Sequence, residues 1–197
     1  MDYYHIYNRG AHRALIFNDQ QDYWRFLYLL YIGNNHNPFQ LADHAEISIF
    51  KIYREKMLVE IVAYCLMPNH FHIALRECVP DGMTRFIRKI CTGYSMYYNI
   101  KYKHSGTIFQ GKYKAKSVMD EEYLRILINY IHLNPFGIES PNLTRESRQE
   151  FSNEAIEYSK TYEYSSFKDY LGEIRQQSSI LRSDLQIWRS DLTYPPP

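Results

Sequence analysis

The chain has 197 residues, a formal net charge of +1 and unexceptional overall hydrophobicity, which fits one soluble domain with a sizeable core and excludes a fibrous or strongly disordered chain. Its longest apolar run is too short to cross a bilayer, and MDYYHIYNRG lacks the order of a signal peptide, so a cytoplasmic, non-membrane protein is expected. Three cysteines, Cys65, Cys78 and Cys91, form no C-x-x-C pair and exclude a disulfide framework or a zinc ribbon.

Two features depart from the average. The chain holds 20 Tyr, 10 Phe and 2 Trp, more rings than a core of this size uses. The near-neutral total also hides a segregation of charge. From Gly82 to Val118 stand eight bases (Arg85, Arg88, Lys89, Lys101, Lys103, Lys112, Lys114, Lys116) and no acid, whereas Asp120 to Glu163 carries nine acids against four bases.

In chain order, YHIYNR (4–9) suits a short strand closed by Gly10, and DQQDYWRFLYLLYI a helix capped by Asn18 or Asp19. Residues 34 to about 43 read as loop, and EISIFKIYREKM as an amphipathic segment of undecided type. VEIVAYCLM and HFHIAL are strands joined at Pro68-Asn69 as a hairpin. A long helix should follow from about Met83 to Lys101, then a loop and a strand through KYKAKSV. Asp120-Glu121-Glu122 caps a helix ending at Asn134-Pro135. Residues 139 to 160 read as a polar connector, YSSFKDYL as a short closing helix, and 173–197 as a peripheral tail. The order suggests an α+β domain over 1–172, with a mostly antiparallel sheet, helices packed on one face, and inserts near 34–57 and 139–160.

Three constellations carry chemistry. His70 and His72 fall on one face of a strand, and two imidazoles with a third oxygen ligand and open positions can hold a catalytic divalent ion, although an H-x-H pair is more often an ordinary hydrogen-bonded one. Tyr130 and Asn134 lie one turn apart on a helix, so a phenol nucleophile and an amide oxygen can share a site; His132 lies roughly 200 degrees round from Tyr130 and cannot. Tyr followed four later by Asn also occurs at Tyr4/Asn8 and Tyr31/Asn35, so that spacing has little weight alone. Third, the basic stretch also holds Phe86, Tyr94, Tyr97, Tyr98, Tyr102, Phe109 and Tyr113; cations neutralise phosphates and rings stack on bases. Phe86, Tyr94 and Tyr97 read as core, while the alternation in KYKAK puts lysines on one strand face.

The segments YHIYNRGAHRALIF, AYCLMPNHFHIAL, HSGTIFQGKYKAKSV, YLRILINYIHLNP and YSSFKDYLG together resemble, in order, the REP-associated tyrosine transposases, a branch of the single-tyrosine HUH transposases. The likeness spans about 3–135 and 164–172. It implies a ferredoxin-like HUH endonuclease domain with His70, His72 and Asn134 as ligands of Mg or Mn and Tyr130 as the nucleophile. It further implies cleavage and rejoining of single-stranded or hairpin DNA through a 5'-phosphotyrosine. Arg9, Arg85, Arg88, Lys89, Gln110, Lys112, Lys114 and Lys116 are the candidates for DNA contact. Relatives include monomers and dimers with shared sites, so a homodimer is one of the two states allowed. The chain departs from the family in reading NPFGIESPN where members carry NPV-R-A-G, which loses a basic residue. Two other readings compete: a catalytically silent hairpin-binding descendant, and a phosphodiesterase using the histidines with no covalent step.

Overall fold

A computed structural model describes residues 3–38, 49–142 and 152–182. Four strands, β1 (Tyr3–Arg9), β2 (Val59–Met67), β3 (His70–Glu77) and β4 (Lys114–Val118), form one antiparallel sheet in the order β2-β3-β1-β4. Helix α1 (Gln20–Ile32) connects β1 to β2, and α2 (Gly82–Tyr102) connects β3 to β4. This is the expected ferredoxin-like α+β arrangement. Helix α3 (Glu121–Leu133) follows β4, with α4 (Phe136–Glu139), α5 (Ser152–Thr161) and α6 (Phe167–Tyr170) after it.

Side chains alternate along a strand, so the cross-strand register divides the sheet into two faces. Ile6, Phe71, Ile73 and Leu75 are buried on the face covered by α1 and α2, where Phe26 lies 5.1 Å from both Phe71 and Tyr94 between ring centroids. The opposite face carries the pairs Tyr7↔His72, Cys65↔His72 and Tyr7↔Lys114, and it is covered by α3. The helices expected on one face are thus α1 and α2, and α3 adds a further layer on the other. It can do so because Leu124, Leu127, Ile128 and Ile131 recur at helical spacing and are all buried.

Local chemistry sets the helix limits. Asp19 caps α1 in a reciprocal capping box with Asp22. The fully buried Asp22 carboxylate also accepts from Lys101 Nζ at 2.7 Å and from the hydroxyls of Tyr97 and Tyr102, which ties the start of α1 to the end of α2. Asp120 caps α3 by accepting from the Tyr123 amide at 2.7 Å.

Two regions differ from the expectations. Residues 152–161 of the expected connector are helical, because Ala155 packs under Leu133 and Phe136. Residues 175–182 of the expected tail pack onto the domain: Gln177 and Ile180 are buried, and the Arg175 guanidinium bonds Asp169. The outer edge of β2 is then covered twice. Leu66 N donates to Tyr164 O at 2.9 Å and Ser166 N to Tyr64 O at 3.0 Å, while Arg182 N donates to Ile61 O at 3.0 Å. Residues 39–48, 143–151 and 183–197, including parts of both expected inserts and most of the tail, lie outside the described residues.

Candidate active site

The two-residue turn between β2 and β3 places His70 at the open end of the sheet. The turn is anchored through its backbone: Gly10 N donates to Asn69 O and Ile16 N to Pro68 O, both at 2.8 Å. Gly10 is required there, since a Cβ would lie 2.1 Å from the Ala14 carbonyl oxygen. Next along the chain, His12 and Arg13 both take left-handed backbone conformations, with φ of 53° and 63°.

His70 and His72 share the α3 side of the sheet, their rings perpendicular (89°) with centroids 5.0 Å apart. Tyr130, half-buried on α3, sets its ring edge-on 5.3 Å from His72 and 5.9 Å from His5. Asn134, one turn further, brings Oδ1 to 3.3 Å from His70 Nε2. The four residues singled out from the sequence therefore meet within one protomer. His132 does not join them: it is fully buried on another side of α3, with Nε2 2.8 Å from Ser166 Oγ and its ring against Phe167.

Each imidazole is held through its second nitrogen. His70 Nδ1 lies 2.7 Å from Asn69 Oδ1, and His72 Nδ1 lies 2.8 Å from His5 Nε2. All three rings are kept neutral at pH 7. Burial, then Lys116, lowers His5 to about 4. Burial lowers His70, with a smaller push from Arg9 against a bond to Asn134 that raises it. His72 sits well below its ordinary value because of burial, then the neighbouring His70 and His5. Neutral imidazole is the form that binds metals.

The donor set fits a divalent cation. His70 stands between two amide oxygens, Asn69 Oδ1 at Nδ1 and Asn134 Oδ1 at Nε2, and a neutral ring has a single N–H to give, so one of these contacts sets acceptor against acceptor. With the proton on Nδ1, the Nε2 lone pair faces Asn134 Oδ1 at 3.3 Å and a cation between them relieves the repulsion; cis ligands of an ion of Mg size stand about 3 Å apart. Among the described residues no group of three or more His, Cys, Asp and Glu is placed to hold an ion, so the candidate set is two imidazoles and one amide oxygen.

Beside His70 opens a cleft of about 670 Å³ whose walls include Arg9, Arg13, Gln110, Lys112 and Lys114. Arg9 pairs with His70 across the strands and bonds the Gln110 side chain. Lys114 stands beside Tyr7, and Lys116, on the same face, pairs with His5. Arg85, Arg88 and Lys89 are elsewhere. Arg88 and Lys89 line a separate groove between α1 and α2, Lys89 Nζ donates to the carbonyls of Asn35 (2.6 Å) and Asn37 (3.1 Å), and Arg85 reaches His36. Sequence reasoning missed His5, Asn69 and Arg13. His5 shares the strand parity of Tyr7 and Arg9, but only the pairing register reveals which residue it meets.

The chain belongs to the IS200-like transposase family, whose model matches residues 3–134. Among the solved structures that match is "Structure of the REP associates tyrosine transposase bound to a REP hairpin". The likeness has a TM-score of 0.55 at 14% identity and covers 94% of this chain and 87% of that one, which shows a shared fold. No curated protein matches the chain. Among the described residues no helix is long and apolar enough to cross a membrane.

Proposed function

We propose that this protein cleaves and rejoins single-stranded or hairpin DNA, with Tyr130 as nucleophile and a divalent cation, Mg or Mn, held by His70, His72 and Asn134. The observation that carries this reading is the approach of the Tyr130 ring to within 5.3 Å of His72, between ring centroids, on the face where His70 meets Asn134. Tyr130 Oη attacks the phosphorus, and the bond from phosphorus to the 3' oxygen breaks. The phenolic proton is given up and a proton is taken by the departing 3'-hydroxyl. The DNA is left joined to Tyr130 through its 5'-phosphate, and attack by another 3'-hydroxyl on that ester rejoins DNA with no external energy source. When bound, the cation supplies positive charge against the non-bridging phosphate oxygens.

Arg9, Arg13, Gln110, Lys112 and Lys114 grip the strand entering the cleft, and Lys116 continues the row of cations. Arg88 and Lys89 line the other groove and Arg85 reaches His36, so all three would meet only DNA that reaches round to α2. A hairpin is the favoured substrate because a protein of the same fold is described as bound to one. All four site residues come from one chain, so the reaction needs one protomer, and a homodimer would hold two complete sites. The protein would work in the cytoplasm, beside its DNA.

Incubation with a labelled hairpin oligonucleotide and Mn²⁺ should yield a covalent protein–DNA band, lost in Tyr130→Phe. A band that persists in that variant would reject Tyr130 as the nucleophile. Salt-sensitive binding without any adduct would identify a silent binder instead.

A further inference from the structure

Two side chains outside the proposed cation site touch it at single, informative atoms. His5 Nε2 lies 2.8 Å from His72 Nδ1, and Asn69 Oδ1 lies 2.7 Å from His70 Nδ1. A neutral imidazole has one N–H and one lone pair, so whatever holds one nitrogen decides what the other can do. Both Nδ1 atoms face side chains outside the cation site, whereas His70 Nε2 faces Asn134 Oδ1, the third member of the proposed set, so Nε2 is the atom placed to ligate. For Nε2 to carry a lone pair, Nδ1 must carry the proton and donate it. His5 and Asn69 must then accept.

The Asn69 amide is oriented to do so. Its Nδ2 donates to the Arg13 carbonyl at 3.4 Å, within the 11–13 turn, whose left-handed Arg13 lines the cleft. That contact turns Oδ1 toward His70. On the other side, His5 is 8% exposed, and its ring packs against Tyr7 (5.0 Å) and Tyr130 (5.9 Å).

We infer that His5 and Asn69 are positioning residues that fix the tautomers of His72 and His70, so that each presents Nε2 to the cation. This rests on the cation site proposed above and adds to it the residues that set its geometry. Outer partners of this kind hold a ligand ring at the right angle and raise its basicity, and their loss costs about 10–100-fold in metal affinity.

The experiment is Mn²⁺ binding by the DNA-free protein, read from the electron paramagnetic resonance signal of free Mn²⁺. His5→Met and Asn69→Leu, which keep bulk and remove the acceptor, should weaken binding about 10-fold or more. His5→Gln and Asn69→Asp, which keep an acceptor oxygen, should retain most of it. Hairpin binding without metal should stay unchanged in His5→Met and His5→Gln. Wild-type affinity in His5→Met and Asn69→Leu would overturn the inference. Equal affinity in wild type and His70→Ala would instead overturn the cation site itself. A second measurement needs no variant: long-range ¹H–¹⁵N correlation of the wild-type protein in saturating Mg²⁺ should show both rings protonated at Nδ1. A proton on Nε2 of either would overturn the assignment for that ring.

Discussion

The two faces of the sheet are built from the same strands by opposite rules. Against α1 and α2, β1 and β3 present Ile6, Phe71, Ile73 and Leu75, each fully buried, and stability comes from apolar area removed from water. One residue along, they present His5, Tyr7, His70 and His72 toward α3, a layer of polar rings of which His5 and His72 are buried, at some cost to stability. A slip of one residue in register would exchange the faces. The site therefore inherits its precision from the apolar side, where packing fixes the strands.

The sharpest break of this comparison is Phe71→Ala, which should lower unfolding free energy by about 3–5 kcal/mol in denaturant melts, because it removes a fully buried ring that packs against Phe26 and Phe109. The corresponding assault on the other face should spare the fold. The pair His5→Leu with His72→Leu removes both partners of one buried hydrogen bond, so the melting temperature should hold or rise while Mn²⁺-dependent adduct formation disappears.

A smaller effect separates by pH. Burial pushes the Asp22 carboxyl up, but bonds from Lys101, Tyr102 and Tyr97 hold it below its ordinary 3.8. A depressed folded value means that this cluster stabilises the protein above about pH 4, and that the contribution is lost as pH falls through the lowered value. Lys101→Met should melt below wild type at pH 7, and the two curves should converge in acid. Smallest of all, Lys114→Ala should leave stability unchanged and reduce the slope of log affinity for hairpin DNA against log salt by about 1.

The sequence carried the strands and long helices because local signals matched tertiary demands. Alternation marked β4, Gly10 closed β1, Asp19 and Asp120 marked helix starts, and Pro68-Asn69 marked the hairpin turn between β2 and β3. Helix α5 escaped notice because its buried positions, Ala155 and Ser159, are small, so no apolar stripe announces it. His70, His72, Tyr130 and Asn134 were legible from their spacing within ordered motifs. His5 and Asn69 were not, because one depends on cross-strand register and the other reads as an ordinary turn residue. Arg85, Arg88 and Lys89 counted as part of one basic stretch, yet α2 stands on the apolar side of the sheet, so adjacency in sequence did not become adjacency in space.

The doubly covered flank of β2 has a consequence for assembly. With Tyr64 and Leu66 bonded to 164–166, and Ile61 to Arg182, the backbone groups that could recruit another chain's strand on that side are already engaged. Across the described residues the only strand border left for such a seam is β4, where Lys114 and Lys116 would confront their own copies. Like charges held that close repel, and the same two lysines that welcome a nucleic acid would keep sheets of neighbouring molecules from fusing.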